Sequence, residues 1–266
     1  MFIFCHANGF SPDCYQIFFN EAANHGINFT PMTLTPLDEP FSMYQMARNW
    51  HDYGWDLINK IDQQESEAKI TGVGHSMGGV LLLKAAIERP KLFNKLVLLD
   101  PTILPRRFVY LSNYLPKFIT RKIHPVASKA YRRKETFDSF ESAFDNLREK
   151  KLFKYFSDEA LWNYVNSGFK KTKEGPITLT FTKQWEEHCF LSVISTWGML
   201  KNVSVPTTII YGEKSDLIHK KIIKRVKNIN PKIELIPSRG GHLFPMEFPG
   251  NVDFSAFKTE PHSPGQ

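Results

Sequence analysis

The chain has 266 residues, of which 42% are hydrophobic, 14% are aromatic and 23% are charged, and its formal net charge is +7. This length supports one large or two ordinary domains, and the composition excludes disordered, collagen-like and coiled-coil proteins. No apolar run approaches the roughly 18 residues that a membrane span requires, so we expect no stable membrane insertion.

The first hundred residues alternate short apolar runs with longer amphipathic stretches, which is typical of β-α-β units in a mostly parallel sheet. The strands predicted in this part are Phe2–Cys5, Phe29–Leu34, Lys69–Val73 and Leu96–Asp100. The helices predicted between them are Tyr15–Asn24, Tyr44–Gln64 and Met77–Glu88.

This alternation stops at residue 105 and does not resume until residue 205. Four helical patterns fill the interval: Tyr110–Ile119, Ala127–Lys134, Ser139–Lys150 and Asp158–Gly168. A structureless loop of this length is implausible inside a compact domain. We therefore predict that residues 105–204 form a helical cap, or lid, inserted between two strands of the sheet.

The excess of positive charge lies in the same central block, since residues 101–200 hold 17 Lys and Arg against 10 Asp and Glu. The plainest interpretation is a solvated face, and a second hypothesis is that this face steers an anionic substrate or acidic lipid headgroups. Aromatic and basic residues do not interleave as in RNA-binding motifs, so we predict no nucleic-acid partner. The basic residues concerned are Arg106, Arg107, Lys117, Arg121, Lys122, Arg132, Arg133 and Lys134.

After residue 205, strands are predicted at Thr207–Tyr211 and Ile233–Ile236, and helices at Leu217–Asn228 and Val252–Lys258. The tail after Lys258 is predicted to be frayed. The chain as a whole is predicted to be an α/β protein with a mostly parallel sheet of about six strands flanked by helices. Residues 1–104 and 205–266 form its core.

Cysteine usage and the start of the chain bear on localisation. Cys5, Cys14 and Cys189 form neither a disulfide framework nor a C-x-x-C metal motif. The first residues contain no basic region followed by a long apolar stretch, so they do not resemble a secretory signal. Both observations predict a cytoplasmic protein.

Residues 74–78 read G-H-S-M-G, directly after a predicted strand and directly before a predicted helix. A tight strand-to-helix turn strains the central residue, and its neighbours must lack a Cβ atom to avoid the adjoining strand and helix. The turn lifts the Ser76 hydroxyl clear of the sheet, above the free N–H groups of the helix N-terminus. This setting indicates a nucleophilic serine.

A serine nucleophile needs a base, and the base needs a carboxylate that orients it. Asp216 follows the strand Thr207–Tyr211, and His242 follows the strand Ile233–Ile236. Both candidates therefore lie at the carboxyl ends of strands, where open parallel sheets place their sites.

In this order of serine, acid and histidine, the chain resembles the capped serine hydrolases of the α/β-hydrolase fold superfamily. The resemblance implies that Ser76 is the nucleophile, that His242 is the general base and acid, and that Asp216 orients the imidazole. It also implies an acyl-enzyme intermediate, no metal and no organic cofactor.

Residues 6–10 read H-A-N-G-F immediately after the first predicted strand. They resemble the family's His-Gly-x-Pro or His-Gly-Asn-Gly loop, although Ala7 replaces the usual glycine and the proline is absent. Position by position, the resemblance places the oxyanion-hole donors at the backbone amides of Asn8 and Met77.

Two departures from the family pattern affect the predictions. The usual first two strands are missing, so the sheet has an exposed first edge and a homodimer is possible. Some family members take the acid from an earlier strand, which makes Asp100 the alternative to Asp216. We prefer Asp216, because its loop matches the commoner position and Asp100 followed by Pro101 is typical of a strand-end turn.

The predicted function is hydrolysis of a small-molecule carboxylic ester with an apolar acyl or alcohol group. Thioester hydrolysis, C–C bond hydrolysis and acyl transfer would use the same triad and stay open. A non-catalytic ligand-binding protein is the alternative from another class, since a fold does not determine a function.

Overall fold

The computed structural model describes residues 1–64, 68–116, 119–121 and 124–258. Three features of the sequence lie outside these residues: the basic residues Lys117 and Lys122, part of the helix predicted at Tyr110–Ile119, and the tail after Lys258. Within the described ranges, no helix is long and apolar enough to cross a membrane.

A six-stranded sheet forms the centre of the molecule, and each neighbouring pair of strands runs parallel. The strands are β1 (Phe2–Cys5), β2 (Phe29–Met32), β3 (Ile70–His75), β4 (Phe93–Leu99), β8 (Thr207–Gly212) and β9 (Glu234–Ser238). Their order in the sheet is β2-β1-β3-β4-β8-β9. This sheet, flanked by helices, confirms the predicted fold class.

Both faces of this sheet are buried. Successive residues of a strand point to opposite sides, and in the central strands they pack into two different apolar clusters. In β1, Ile3 and Cys5 pack into one apolar cluster and Phe4 packs into the other. In β4, Leu96 and Leu98 pack with the first cluster, while Val97 and Leu99 pack with the second. The sequence of each of these two strands is therefore apolar throughout its buried part, without alternation.

The predicted helices outside residues 105–204 are present, with one break and one change of type, and the four-residue helices Thr35–Asp38 and Phe244–Glu247 were not predicted. Tyr44–Gln64 is divided in two, because Asn49 caps the second part and Asp52 completes a capping box. The predicted helix Val252–Lys258 is a short 3₁₀ helix, Phe254–Phe257. The α-helices are α1 (Gln16–Asn24), α2 (Thr35–Asp38), α3 (Met43–Met46), α4 (Trp50–Asp62), α5 (Met77–Glu88), α12 (Lys220–Ile229) and α13 (Phe244–Glu247).

Segment 105–204 contains helices and a small antiparallel sheet that the sequence analysis did not predict. The strands of this sheet are β5 (Thr136–Phe137), β6 (Phe169–Lys171) and β7 (Ile177–Leu179), too short for a readable period. The helices are α6 (Arg106–Tyr114), α7 (Pro125–Tyr131), α8 (Phe140–Arg148), α9 (Asp158–Gly168), α10 (Lys183–Leu191) and α11 (Trp197–Asn202).

Indole groups join this segment to the rest of the chain. The Trp185 Nε1–H donates to the Glu39 carbonyl at 2.8 Å, and the Trp197 Nε1–H donates to the Leu104 carbonyl at 2.8 Å. Residues of the segment also belong to both apolar clusters of the sheet. Its position is therefore set by shared packing as well as by its two chain connections.

Candidate active site

Ser76 lies in the turn between the last residue of β3 and the first residue of α5. Its backbone has φ 53° and ψ −113°, and its N–H donates to the Leu99 carbonyl at 3.0 Å. The Ser76 side-chain oxygen lies 3.2 Å from the hydroxyl of Thr102, a contact that the sequence analysis did not identify.

The glycines of this turn are required by close backbone contacts. A Cβ atom on Gly78 would lie 2.2 Å from the Cys5 carbonyl oxygen, and one on Gly74 would lie 2.7 Å from the Gly78 carbonyl. Either side chain would push the helix away from the sheet. The G-x-S-x-G spacing therefore records how closely α5 approaches β1 and β3.

His242 reaches Ser76 from the loop after β9. Its Nε2 atom lies 3.0 Å from the Ser76 Oγ atom, so the structure brings the predicted nucleophile and base within hydrogen-bond reach. The loop is held by Glu247, whose carboxylate accepts a hydrogen bond from the Gly241 N–H at 2.9 Å. Burial raises the pKa of the Glu247 carboxyl group.

The carboxylate beside His242 belongs to Asp100, which corrects the preference for Asp216. The His242 Nδ1 atom lies 2.6 Å from the Asp100 Oδ2 atom, and Asp100 is fully buried. Asp216 is exposed on the loop after β8. The end of β8 and this loop still contribute to the site, because the Gly212 N–H and the Ser215 hydroxyl donate to Asp100 at 3.0 and 2.6 Å.

Sheet topology explains why Asp100, rather than Asp216, lies beside His242. Because β4 lies between β3 and β8, a residue at its carboxyl end is adjacent to the turn that carries Ser76. Four buried residues, Leu96–Leu99, run directly into Asp100. A carboxylate at the end of such a strand needs partners, and that was the signal in the sequence for its role.

The predicted oxyanion loop follows β1. Asn8 is 8% exposed, its neighbour Gly9 has φ 82°, and no carbonyl of the described residues accepts a hydrogen bond from the Asn8 N–H. Met77 is the first residue of α5, where an N–H has no partner within the helix. Their roles as oxyanion donors stay a prediction.

His6 fixes the start of this loop. Its Nδ1 atom lies 2.9 Å from the Ala7 carbonyl, which accepts, and its Nε2 atom accepts a hydrogen bond from the Leu34 N–H at 3.1 Å. Burial lowers the pKa of His6 to about 4, so the ring is neutral near pH 7. Because both ring nitrogens of His6 are hydrogen-bonded to the main chain, we assign the ring a structural rather than a catalytic role.

A parallel sheet with a strained serine between strand and helix, and a histidine after the last strand, defines the hydrolase-fold class of proteins. A family model described as the alpha/beta hydrolase fold matches residues 10–249. The chain belongs to this family, which confirms the resemblance recognised in the sequence.

Proteins of similar sequence include a hydrolase and a thioesterase. The chain is 27% identical over 194 residues to an uncharacterized hydrolase, YugF, of Bacillus subtilis, covering 66% of this chain and 60% of the relative. It is 29% identical over 114 residues to a type I acyl-CoA thioesterase of Penicillium brevicompactum, covering 38% and 26%. The chain thus spans less than two thirds of the length of these curated relatives.

Two solved structures resemble the fold over most of the chain. A thioesterase domain from the curacin biosynthetic pathway matches with a TM-score of 0.72 and 16% identity, covering 96% of this chain and 89% of that one. A peroxisomal α/β-hydrolase of Saccharomyces cerevisiae matches with a TM-score of 0.73 and 19% identity, covering 96% and 74%. At these identities the likeness shows the fold alone.

Proposed function

We propose that the protein is a serine hydrolase that cleaves a carboxylic ester with an apolar acyl or alcohol group, using Ser76, His242 and Asp100. The observation that carries the proposal is one continuous chain of contacts. It runs from the Ser76 Oγ atom to the His242 Nε2 atom at 3.0 Å, and from the His242 Nδ1 atom to the Asp100 carboxylate at 2.6 Å.

In the proposed mechanism, the Ser76 oxygen attacks the ester carbonyl carbon while His242 Nε2 takes the hydroxyl proton. Asp100 accepts the Nδ1–H bond, which keeps the imidazole in the required tautomer and stabilises the imidazolium that forms. The amides of Asn8 and Met77 donate to the carbonyl oxygen as it becomes negative.

The intermediate collapses when the bond to the alkoxy group breaks and the imidazolium gives its proton to the departing alcohol. Water then adds to the acyl-enzyme, with His242 as base, and the acid leaves as the Ser76 hydroxyl is restored. Ser215 and the Gly212 N–H assist by fixing the carboxylate of Asp100.

A thioester is the second candidate substrate, because the Penicillium relative is named as an acyl-CoA thioesterase. The same three side chains serve both reactions, and a thiolate is a better leaving group than an alkoxide. The ratio of kcat/KM for matched acetyl, butyryl and octanoyl esters and thioesters distinguishes the two substrate classes.

A fluorophosphonate probe tests the proposal without knowledge of the natural substrate. We expect the wild-type protein to be labelled, the Ser76→Ala variant to lose labelling completely, and His242→Ala to lose nearly all of it. Ser204, which is exposed and remote in sequence from the triad, provides the matched control, because Ser204→Ala should be labelled like the wild type. Equal labelling of Ser76→Ala and wild type would contradict the proposal.

A further inference from the structure

A hydrogen-bonded chain of two buried side chains joins the loop that carries Asn8 to the loop that carries His242. The Ala7 N–H donates to the Tyr15 hydroxyl oxygen at 3.1 Å, and that hydroxyl lies 2.7 Å from the His75 Nδ1 atom. The His75 Nε2 atom lies 2.8 Å from the His242 carbonyl oxygen. Tyr15 and His75 are both fully buried.

The partners determine the direction of every hydrogen bond in this chain. A carbonyl oxygen only accepts, so the proton of the His75 ring is on Nε2 and is donated to His242. The Nδ1 atom then accepts from the Tyr15 hydroxyl, whose oxygen accepts from the Ala7 N–H. Each polar group in the chain is thereby satisfied in one arrangement.

His75 is neutral in this arrangement. Burial is the main cause that lowers the pKa of the His75 ring well below its usual value, and the nearby His242 lowers it further. The centres of the two rings are 5.0 Å apart. A positive charge on His75 would oppose the imidazolium that His242 forms during the proposed reaction, so a neutral hydrogen-bonding ring suits this position.

These bonds connect the main chain at both sides of the proposed nucleophile. Ala7 immediately precedes Asn8, His75 immediately precedes Ser76, and the bonded carbonyl belongs to His242 itself. Packing alone would be satisfied by apolar side chains, whereas a fully paired polar chain specifies one relative placement of the two loops.

We propose that Tyr15 and His75 are positioning residues, which hold the oxyanion loop and the backbone of His242 in register with Ser76. Neither residue touches a reacting atom. The inference rests on the proposed function, because it concerns how the groups of that same site are aligned.

Three substitutions interrupt this hydrogen-bonded chain at different bonds. Tyr15→Phe removes the hydroxyl between Ala7 and His75. His75→Gln keeps an N–H donor at the distance of Nε2, toward the His242 carbonyl, and His75→Asn keeps a polar group only near the position of Nδ1. We therefore expect His75→Gln to retain more activity than His75→Asn.

The measurements are kcat and KM for p-nitrophenyl acetate and the rate of fluorophosphonate labelling. We expect Tyr15→Phe and His75→Asn to lower kcat and the labelling rate by about 10- to 100-fold, since small misplacements of reacting groups have effects of this size. KM should change less than about twofold, because the binding surface is unaltered. Tyr15→Phe combined with His75→Asn should be no slower than the worse single variant.

Tyr53 provides the matched control, because it is also buried and its hydroxyl lies 3.0 Å from the Nε2 atom of another histidine, His188. Tyr53→Phe should leave kcat and labelling unchanged, even where it lowers the melting temperature as much as Tyr15→Phe does. Wild-type labelling rates in folded Tyr15→Phe, or equal slowing by Tyr53→Phe, would overturn the positioning role and leave the proposed function intact. A wild-type protein that neither labels nor turns over the ester would overturn both.

Discussion

Ser76 and Asp100 are the non-glycine residues with positive φ in the described part of the chain, at 53° and 41°. Such a conformation costs on the order of 1–3 kcal/mol and persists only where the surroundings enforce it. Here the Ser76 N–H is bound to the Leu99 carbonyl at 3.0 Å, and the Asp100 N–H to the Ile210 carbonyl at 2.7 Å. Backbone strain is thus located at two members of the proposed triad, at the ends of neighbouring strands.

Separate substitutions of Asp100 and Asp216 distinguish the two candidate acids. Asp100→Asn should lower kcat for p-nitrophenyl acetate by about 10³- to 10⁴-fold, because an amide does not stabilise the imidazolium and favours the wrong tautomer of His242. Asp216→Asn is the control, and we expect nearly wild-type kcat because this side chain is exposed. A larger loss in Asp216→Asn than in Asp100→Asn would reverse the assignment.

At the scale of elements, helix α10 is tied to the predicted oxyanion loop. The Asn8 Nδ2 group donates to the Glu186 carbonyl at 3.1 Å, and the Glu186 carboxylate lies against Gly9. Arg133 pairs with that carboxylate at 2.7 Å and also donates to the Tyr164 hydroxyl. Segment 105–204 therefore contributes a largely buried ion pair to the support of this loop.

Removing one partner of this ion pair should destabilise the protein. Arg133→Met should lower the free energy of unfolding by up to about 3 kcal/mol, because it leaves the largely buried Glu186 carboxylate without its cation. Arg133→Met combined with Glu186→Gln should recover part of that loss. Urea denaturation measures both variants.

The exposed pair of Arg89 and Asp62 serves as the comparison, with side chains 52% and 39% exposed. Arg89→Met should change the free energy of unfolding by less than about 1 kcal/mol, since solvent screens such pairs. If Arg133→Met were equally mild, the ion pair would not support the loop.

At the scale of the whole molecule, buried neutral histidines make stability depend on pH. The folded pKa of His6 is lowered to about 4, whereas the unfolded chain has the ordinary value near 6.5. Between these values the unfolded state binds more protons than the folded state, so stability falls as pH decreases through this window. His75 acts in the same direction, because its pKa is also lowered by burial.

We expect His6 to account for up to about 3 kcal/mol of the stability lost between pH 6.5 and pH 4. His6→Asn removes this titration and keeps a side-chain amide near the position of Nδ1, so its stability should depend less on pH. Urea unfolding at pH 7.0 and pH 4.5 provides the measurement. An identical pH dependence in His6→Asn and wild type would exclude this contribution.

Several elements were predictable because each depends on local order in the chain. The apolar runs of β1, β3 and β4 and the apolar helix α5 are recognisable from the local sequence without tertiary contacts. The short strands β5, β6 and β7 were not predictable, since two or three residues define no period and their pairing is nonlocal. The break before α4 depended on a capping residue, Asn49, within an otherwise continuous helical pattern.

The sequence by itself determined the α/β architecture and placed Ser76 in a strand-to-helix turn, because glycines at 74 and 78 and the periodicity around them are local properties. It left two carboxylates, Asp100 and Asp216, as possible partners of His242. Only the tertiary structure decided between them. Because β4 lies between β3 and β8, Asp100 is buried beside the imidazole and accepts hydrogen bonds from the end of β8 and the loop after it. Asp216, on that same loop, points to solvent, since Ser215 rather than its neighbour meets the buried carboxylate.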